Sequence, residues 1–293
     1  MPTVLSFQFA LFAVTGLLFI LACLLGLAQV RRLAREAAAG LPHQPCMGNP
    51  ARVAIVAGTL TGLALLIWRA ADISSIGRLM SDPFDAFLAF ALLIALTALY
   101  FCWTRHLRSL SFFLLPMIVM LQLTGLVLAV VNRTEAQPAN VANYFNAWTI
   151  IHMVSLVAAT VCFALACVGG VVYLLAVRQL RGKGLNAAHR WIGLPSLESV
   201  ENFNRWLIYG GFPLLSISTV AGILRLAQER SLSSQPVPGG GHTKIAMGIL
   251  SWLIYAVLLH VPLNPSFRGR RAAWLSIAGF ILFIATFIAA YWK

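Results

Sequence analysis

The chain alternates between long apolar runs and short polar segments, and this pattern predicts most of its secondary structure. The runs are continuous, without the in-and-out alternation of a membrane β-barrel. They have about the 20 residues that a helix needs to cross a bilayer. The pattern therefore predicts an all-α, polytopic helical membrane protein with about eight transmembrane helices, at residues 4–29, 53–71, 84–103, 110–131, 149–177, 205–226, 245–263 and 272–292.

The composition supports a membrane protein. Hydrophobic residues make up 60% of the chain and charged residues only 10%, whereas about a quarter of a soluble domain is charged. The polar connections are short, so the sequence predicts one transmembrane domain over residues 1–293 and no separate soluble domain.

The positive charge follows the loops. The net charge is +13, and fourteen of the 21 basic residues lie in alternate loops. They are Arg31, Arg32, Arg35, Arg52, Arg105, Arg108, Arg178, Arg181, Lys183, Arg190, Arg205, Arg268, Arg270 and Arg271. The positive-inside rule then puts both termini on the outer side. Membrane lipid is the expected partner of these basic loops, and nothing beyond the charge points to nucleic acid.

Three local features qualify this picture of eight plain spans. Leu194, Leu197, Val200 and Phe203, three residues apart, predict an amphipathic turn lying on the membrane before span 6. The stretch 228–244, polar and then glycine-rich, predicts a flexible linker or an adaptable lid. Pro116 and Pro213 are possible breaks in spans 4 and 6.

The chain offers little for acid–base or nucleophilic catalysis. No span centre holds an Asp or Glu, and no paired carboxylates, nucleophile motif or phosphate-binding glycine loop is present. The five cysteines form no CxxC pair. We therefore expect a protein that is not an enzyme.

Histidine is the remaining candidate chemistry. His43, His106 and His189 lie in predicted cytoplasmic loops and are expected to be exposed. His152 opens span 5 at the outer face, His242 precedes span 7 at the same face, and His260 ends span 7 at the inner face.

Neutral imidazole is a common axial ligand of haem iron. His242 and His260 are about 27 Å apart along a helix, too far to share one iron. A clamp of one haem iron by His152 and His242 is possible. His260 is then an inner haem ligand or a polar anchor. Arg69 and Arg225, at the outer ends of spans 2 and 6, either contact acidic groups such as propionates or reach to lipid phosphate.

An ordered set of segments resembles the CcsA/HemX superfamily of cytochrome c assembly membrane proteins. The segments are "IHMVSLVAATVCFALACVGGVVYLLAVRQLRGKG" (151–184), "LPSLESVENFNRWLIYGGFPLLSISTVAGI" (194–223), "GHTKIAMGILSWLIYAVLLH" (241–260) and "FRGRRAAWLSIAGF" (267–280). The resemblance covers about residues 145–290. The N-terminal half is similar only in hydropathy and in "DPFDAFLAFALLIALTALY" (82–100).

The resemblance implies a role in handling haem at a bacterial inner membrane or in plastids. By position, His152, His242 and His260 match histidines of the superfamily. The haem-delivering branch also carries a tryptophan-rich WWD segment, whereas this chain has no tryptophan between Trp206 and Trp252. That difference implies the HemX-like branch.

Three functions follow as hypotheses. The first is a multi-pass protein of the bacterial inner membrane that binds b-type haem (haem b) and assists cytochrome c maturation or haem trafficking, with cytochrome c assembly proteins as partners. The second is a non-enzymatic regulator that acts on a haem-synthesis enzyme. The third is a transporter of a small solute.

Overall fold

A computed structural model describes residues 2–38, 49–72, 83–104, 108–131, 147–181, 196–232, 240–260 and 269–291. These residues form eight α-helices and no strand. The helices are α1 (Pro2–Ala38), α2 (Asn49–Asp72), α3 (Pro83–Trp103), α4 (Arg108–Val131), α5 (Ala147–Arg181), α6 (Leu197–Leu232), α7 (Gly240–His260) and α8 (Arg270–Tyr291).

The predicted polytopic helical membrane fold is confirmed. Six of the described helices, α1 to α6, are long and apolar enough to cross a membrane. The apolar part of α7, Gly248–His260, is shorter. Each of the eight predicted spans coincides with one helix. Membrane crossing by α7 and α8, and the side that each terminus faces, stay predictions.

Helix α6 is continuous where the sequence suggested interruptions. Residues 197–203, expected as an amphipathic turn lying on the membrane before span 6, are the first turns of α6, and Leu194 lies outside the described residues. Ser196 caps this start, since its Oγ accepts a hydrogen bond from the Ser199 backbone N–H at 3.2 Å. Val200 is buried. Pro213 does not break the helix, which continues to Leu232.

Helices α4 and α7 also differ from the sequence-based expectations. Pro116 lies inside the continuous helix α4, because neighbouring helices in a membrane protein can compensate for the missing backbone donor. Helix α7 begins at Gly240, so its first turns replace the end of the predicted flexible linker. The backbone of His242 is therefore helical.

The described chain packs as two compact units. One consists of Met1–Asp72, Phe87–Gly125 and Val172–Val200, and the other of Ile73–Ala86, Leu126–Val171 and Glu201–Lys293.

In the first unit, small residues let helices approach closely. The ring of Phe19 on α1 lies against Gly58 on α2, where a Cβ would be 3.2 Å from the ring. Thr15 and Thr61 join the same two helices through their hydroxyls at 3.3 Å. On α4, Ser111 Oγ donates to the carbonyl of Ala98 on α3 at 3.1 Å.

In the second unit, aromatic rings fill the centre. Phe163 of α5 and Tyr255 of α7 stack with ring centroids 3.5 Å apart and an interplanar angle of 12°. Phe283 of α8 meets Phe163 edge-on at 5.7 Å. Asn204 of α6 donates through Nδ2 to Ser276 Oγ of α8 at 3.2 Å. This unit also contains His152, His242 and His260.

Candidate functional site

His152 lies in the second turn of α5 and contacts helix α6. Its Nδ1 is 2.7 Å from the backbone carbonyl oxygen of Ser218 and 3.0 Å from Ser218 Oγ. In return, Ser218 Oγ donates to the backbone carbonyl of His152 at 3.1 Å. The two residues therefore join α5 and α6 through hydrogen bonds in both directions.

These contacts define the tautomer of the imidazole. A backbone carbonyl can only accept, so Nδ1 must carry the proton that it donates to Ser218. In the neutral ring, Nε2 then holds the free lone pair. Among the described residues, Nε2 of His152 makes no hydrogen bond.

Gly222 makes room for the His152 ring. It lies one helical turn after Ser218, and a Cβ there would be 3.0 Å from both Cε1 and Nδ1 of His152. Such a contact is tighter than most real Cβ contacts, so any other residue at 222 would require the ring to shift by a few tenths of an ångström. The α6 backbone thus forms one wall of the histidine site.

Arg225 extends the same face of α6. Residues 218, 222 and 225 are four and then three positions apart, so they share one face of the helix. The Arg225 guanidinium interacts electrostatically with the His152 ring. A cation therefore accompanies the imidazole at this end of α5 and α6.

Helix α7 contacts α6 at Ser216 and Phe212, which precede the Ser218 that binds His152. Trp252 Nε1 donates to Ser216 Oγ at 2.9 Å, and the Trp252 and Phe212 rings are 5.3 Å apart.

From Trp252 to Tyr255, the contacts of α7 move from Ser216 to Phe163, which lies beside Gly211. Helix α7 therefore runs opposite to α6, and its N-terminal end lies toward the C-terminal end of α6.

This attachment fixes the level of the backbone of His242. His242 is ten residues before Trp252, or about 15 Å of helix rise. His152 meets α6 between Ser218 and Gly222, about 6 Å beyond Ser216. The backbones of His152 and His242 therefore differ by about 9 Å along the helix axes.

The other histidines divide into two groups. His260 is exposed at the C-terminal end of α7, and its Nδ1 lies 2.7 Å from the backbone carbonyl of Ala256, which accepts its proton. Eight residues beyond Trp252, it lies about 18 Å along the axes from the level of His152. The side chain of His242 and all of His43, His106 and His189 lie outside the described residues.

The donor atom of His152 has the chemistry of a haem ligand. Within the described parts of the chain, no group of three or more His, Cys, Asp or Glu side chains is arranged to hold a metal ion. Haem iron needs only one or two axial ligands from the protein. A neutral imidazole whose Nδ1–H is held by a backbone carbonyl is the usual form of such a ligand. The His152 site therefore fits haem by the chemistry of its donor atom.

Sequence reasoning identified His152 but missed Ser218 and Gly222. Both lie in an apolar helix, where a serine and a glycine are ordinary residues. The available signal was the spacing 218, 222 and 225, which puts a hydroxyl, a gap and a cation on one face. Only the pairing of α5 with α6 shows that His152 faces it.

Known proteins resemble most of this chain. Residues 80–293 match the protein family described as Cytochrome C assembly protein. A "Cytochrome c biogenesis protein CcsA" of Porphyra purpurea is 34% identical over 86 residues, which cover 29% of this chain and 25% of that protein.

Two further proteins of that name show similar identity and coverage. That of Guillardia theta is 30% identical over 86 residues, which cover 29% of this chain and 27% of the relative. That of Trichormus variabilis is 29% identical over 85 residues, 29% of this chain and 23% of the relative. The matched segment thus spans about a quarter of the length of these relatives. No solved structure matches the chain.

Proposed function

The chain belongs to the cytochrome c assembly protein family, and from this membership we propose that it handles haem for cytochrome c maturation, with His152 as a ligand of the haem iron. The relatives are named for cytochrome c biogenesis. The observation that carries the proposal is the hydrogen bond from His152 Nδ1 to the Ser218 carbonyl at 2.7 Å, which leaves the Nε2 lone pair free. When bound, haem supplies an iron that accepts axial imidazole nitrogens.

His242 is the proposed second ligand. His152 and His242 lie on different helices, and the offset of about 9 Å along the axes makes them the pair nearest in level among the three candidate histidines, which supports a shared haem. His260, about 18 Å from the level of His152, does not join this pair. It is proposed as a ligand of a separate inner site or as an anchor.

Arg225 is the proposed contact for a haem propionate. It lies on the face of α6 that carries Ser218 and Gly222, and its charge acts on the His152 ring. Guanidinium groups pair well with carboxylates. The bound form proposed is haem b, and the membrane is a bacterial inner membrane.

Further parts of the proposal concern the protein's class and partners. It is not an enzyme, its partners are membrane lipid and other cytochrome c assembly proteins, and it belongs to the HemX-like branch. The absence of tryptophan between Trp206 and Trp252 supports that branch.

Absorption spectroscopy of the purified, detergent-solubilised protein tests the haem proposal. The wild type should show a Soret band, natively or after haem addition. His152→Ala and His242→Ala should lose or shift the band of the shared haem. His260→Ala should leave that band in place, and any absorbance that it removes belongs to the separate inner site. A colourless wild type that takes up no added haem would contradict the proposal.

The alternative, a regulator of a haem-synthesis enzyme, would act through the region of residues 182–205. Because 197–203 belong to α6 and Val200 is buried, its test must avoid deletion of this segment. Replacement of exposed Glu198 and Asn202 should then change tetrapyrrole precursor levels while haem binding stays the same. Unchanged precursor levels would remove this alternative.

A further inference from the structure

The contacts of α6 with His152 are specific enough to assign roles to two residues without ionisable groups. We propose that Ser218 and Gly222 are positioning residues, which hold the His152 ring in one tautomer and one orientation with Nε2 free. The assignment rests on the proposed function only in taking that Nε2 as the atom that binds haem iron.

Ser218 acts at two points on the histidine. Its backbone carbonyl accepts the Nδ1 proton at 2.7 Å, which defines the tautomer. Its Oγ lies 3.0 Å from the same nitrogen and donates to the His152 backbone carbonyl at 3.1 Å. The hydroxyl therefore ties the α5 backbone to the residue whose carbonyl holds the ring.

Gly222 acts through the space that it leaves. The Cε1 and Nδ1 atoms of His152 approach to 3.0 Å from the position that a Cβ would take at 222. A methyl group there must push the ring away from α6. Since Nδ1 is one of the two atoms displaced, its bond to the Ser218 carbonyl lengthens and the restriction to one tautomer weakens.

Close approach of α5 and α6 along their length supports this reading. At Gly211, a Cβ would lie 2.8 Å from the Phe163 ring, and at Gly169 it would lie 3.0 Å from Asn204 Oδ1. The contacts at three levels hold the backbone of α6 close to α5. The α6 backbone therefore restricts the orientations that the His152 ring can adopt.

The test compares Gly222→Ala and Ser218→Ala with two matched controls. Gly210→Ala adds a methyl group on the same helix where nothing lies within 4 Å. Thr219→Ala removes a neighbouring hydroxyl that bonds only to the Leu215 carbonyl of its own helix among the described residues, at 2.8 Å. Each protein is prepared without haem, labelled with ¹⁵N-histidine and then titrated with haem.

The nitrogen spectra report positioning independently of haem. The His152 resonances, identified by their loss in His152→Gln, should show a single tautomer protonated at Nδ1 in the wild type and in both controls. Gly222→Ala should show the other tautomer or exchange between the two. Haem affinity should fall about tenfold or more in Gly222→Ala, fall less in Ser218→Ala, and stay within about twofold in the controls.

Different outcomes would contradict the positioning roles and the proposed haem function. Wild-type tautomer and haem affinity in both Gly222→Ala and Ser218→Ala would overturn the positioning roles. A wild type protonated at Nε2 would overturn them without any haem measurement. If the wild type binds no haem, the proposed function fails, and the tautomer comparison still decides the roles of Ser218 and Gly222. If Gly222→Ala does not fold, Ser218→Ala against Thr219→Ala decides the role of the hydroxyl through haem affinity, and the wild-type nitrogen spectrum decides the tautomer.

Discussion

Trp252 and Ser216 join helices α7 and α6 through a hydrogen bond of 2.9 Å from the indole Nε1 to the serine Oγ. The Ser216 hydroxyl donates in turn to the Phe212 carbonyl at 2.9 Å, four residues earlier and next to Pro213. The bond from Trp252 to Ser216 sets the register between α6 and α7, and the level of the His242 backbone follows from that register.

Replacement of Trp252 by Phe should therefore weaken the pairing of α6 and α7. The variant keeps an aromatic ring but loses the indole N–H, and we expect the free energy of unfolding in mixed micelles to fall by about 1 kcal/mol. Trp274→Phe is the control, because Trp274 is 56% exposed and should change stability by less than about 0.5 kcal/mol. Equal effects of the two variants would contradict the structural role of the Trp252 bond.

The adjacent glycines of α6 should respond oppositely to alanine. At Gly211, a Cβ would lie 2.8 Å from Phe163 and 2.9 Å from Cys162, whereas nothing lies within 4 Å of one at Gly210. Gly211→Ala should thus cost about 1–3 kcal/mol through overpacking. Gly210→Ala should be neutral or stabilise by up to about 1 kcal/mol through helix propensity. Thermal unfolding in detergent ranks the two, and a reversed order would show that α5 and α6 are not this close.

The Tyr255 hydroxyl should be dispensable for stability. The residue is fully buried, and its Oη has no hydrogen-bond partner among the described residues. Removing an unpartnered buried hydroxyl relieves a desolvation cost, so Tyr255→Phe should leave stability unchanged or raise it by about 1 kcal/mol. Phe163→Ala, which removes the stacked ring, should cost about 3–5 kcal/mol.

Chemical denaturation of both variants provides the comparison. A large loss of stability in Tyr255→Phe would mean that the hydroxyl has a partner, and the stacking with Phe163 at 3.5 Å would then not be the main contribution of Tyr255.

Gly269 should be sensitive to any side chain. Its φ of 69° lies in the left-handed region that favours glycine, and its carbonyl accepts from the Ala273 N–H at 3.1 Å in the first turn of α8. Gly269→Ala should cost about 1–2 kcal/mol of unfolding free energy. Gly248→Ala, inside α7 with nothing within 4 Å of its Cβ, is the control and should not destabilise. A neutral Gly269→Ala would argue against this turn.

The sequence predicted the helices better than their ends. All eight spans coincide with helices, because continuous apolar runs of this length have no other stable form in a bilayer. The starts of α6 and α7 were placed too late, since capping by Ser196 and compensation by neighbouring helices act on polar and glycine-rich residues that hydropathy does not score. Pro116 and Pro213 were considered as helix breaks, but both lie inside continuous helices because neighbouring helices can compensate for the missing backbone donor.

The candidate site was predicted only in part. His152 is conspicuous as an ionisable group in an apolar run, and it also matches a histidine of the family that the chain resembles. Ser218 and Gly222 are ordinary residues of an apolar helix, so the sequence does not mark them. The acceptor of the His152 Nδ1 proton is known only from the packing of α5 against α6.

By itself, the amino-acid sequence determined that this chain is a helical membrane protein with a few isolated imidazoles, because hydropathy and charge are properties of the chain in one dimension. The tertiary structure alone decided which face of α6 His152 meets, which tautomer it adopts and how far it lies from the other histidines. Those facts depend on the register between helices distant in sequence, and that register arises from glycine gaps, stacked rings and single hydrogen bonds.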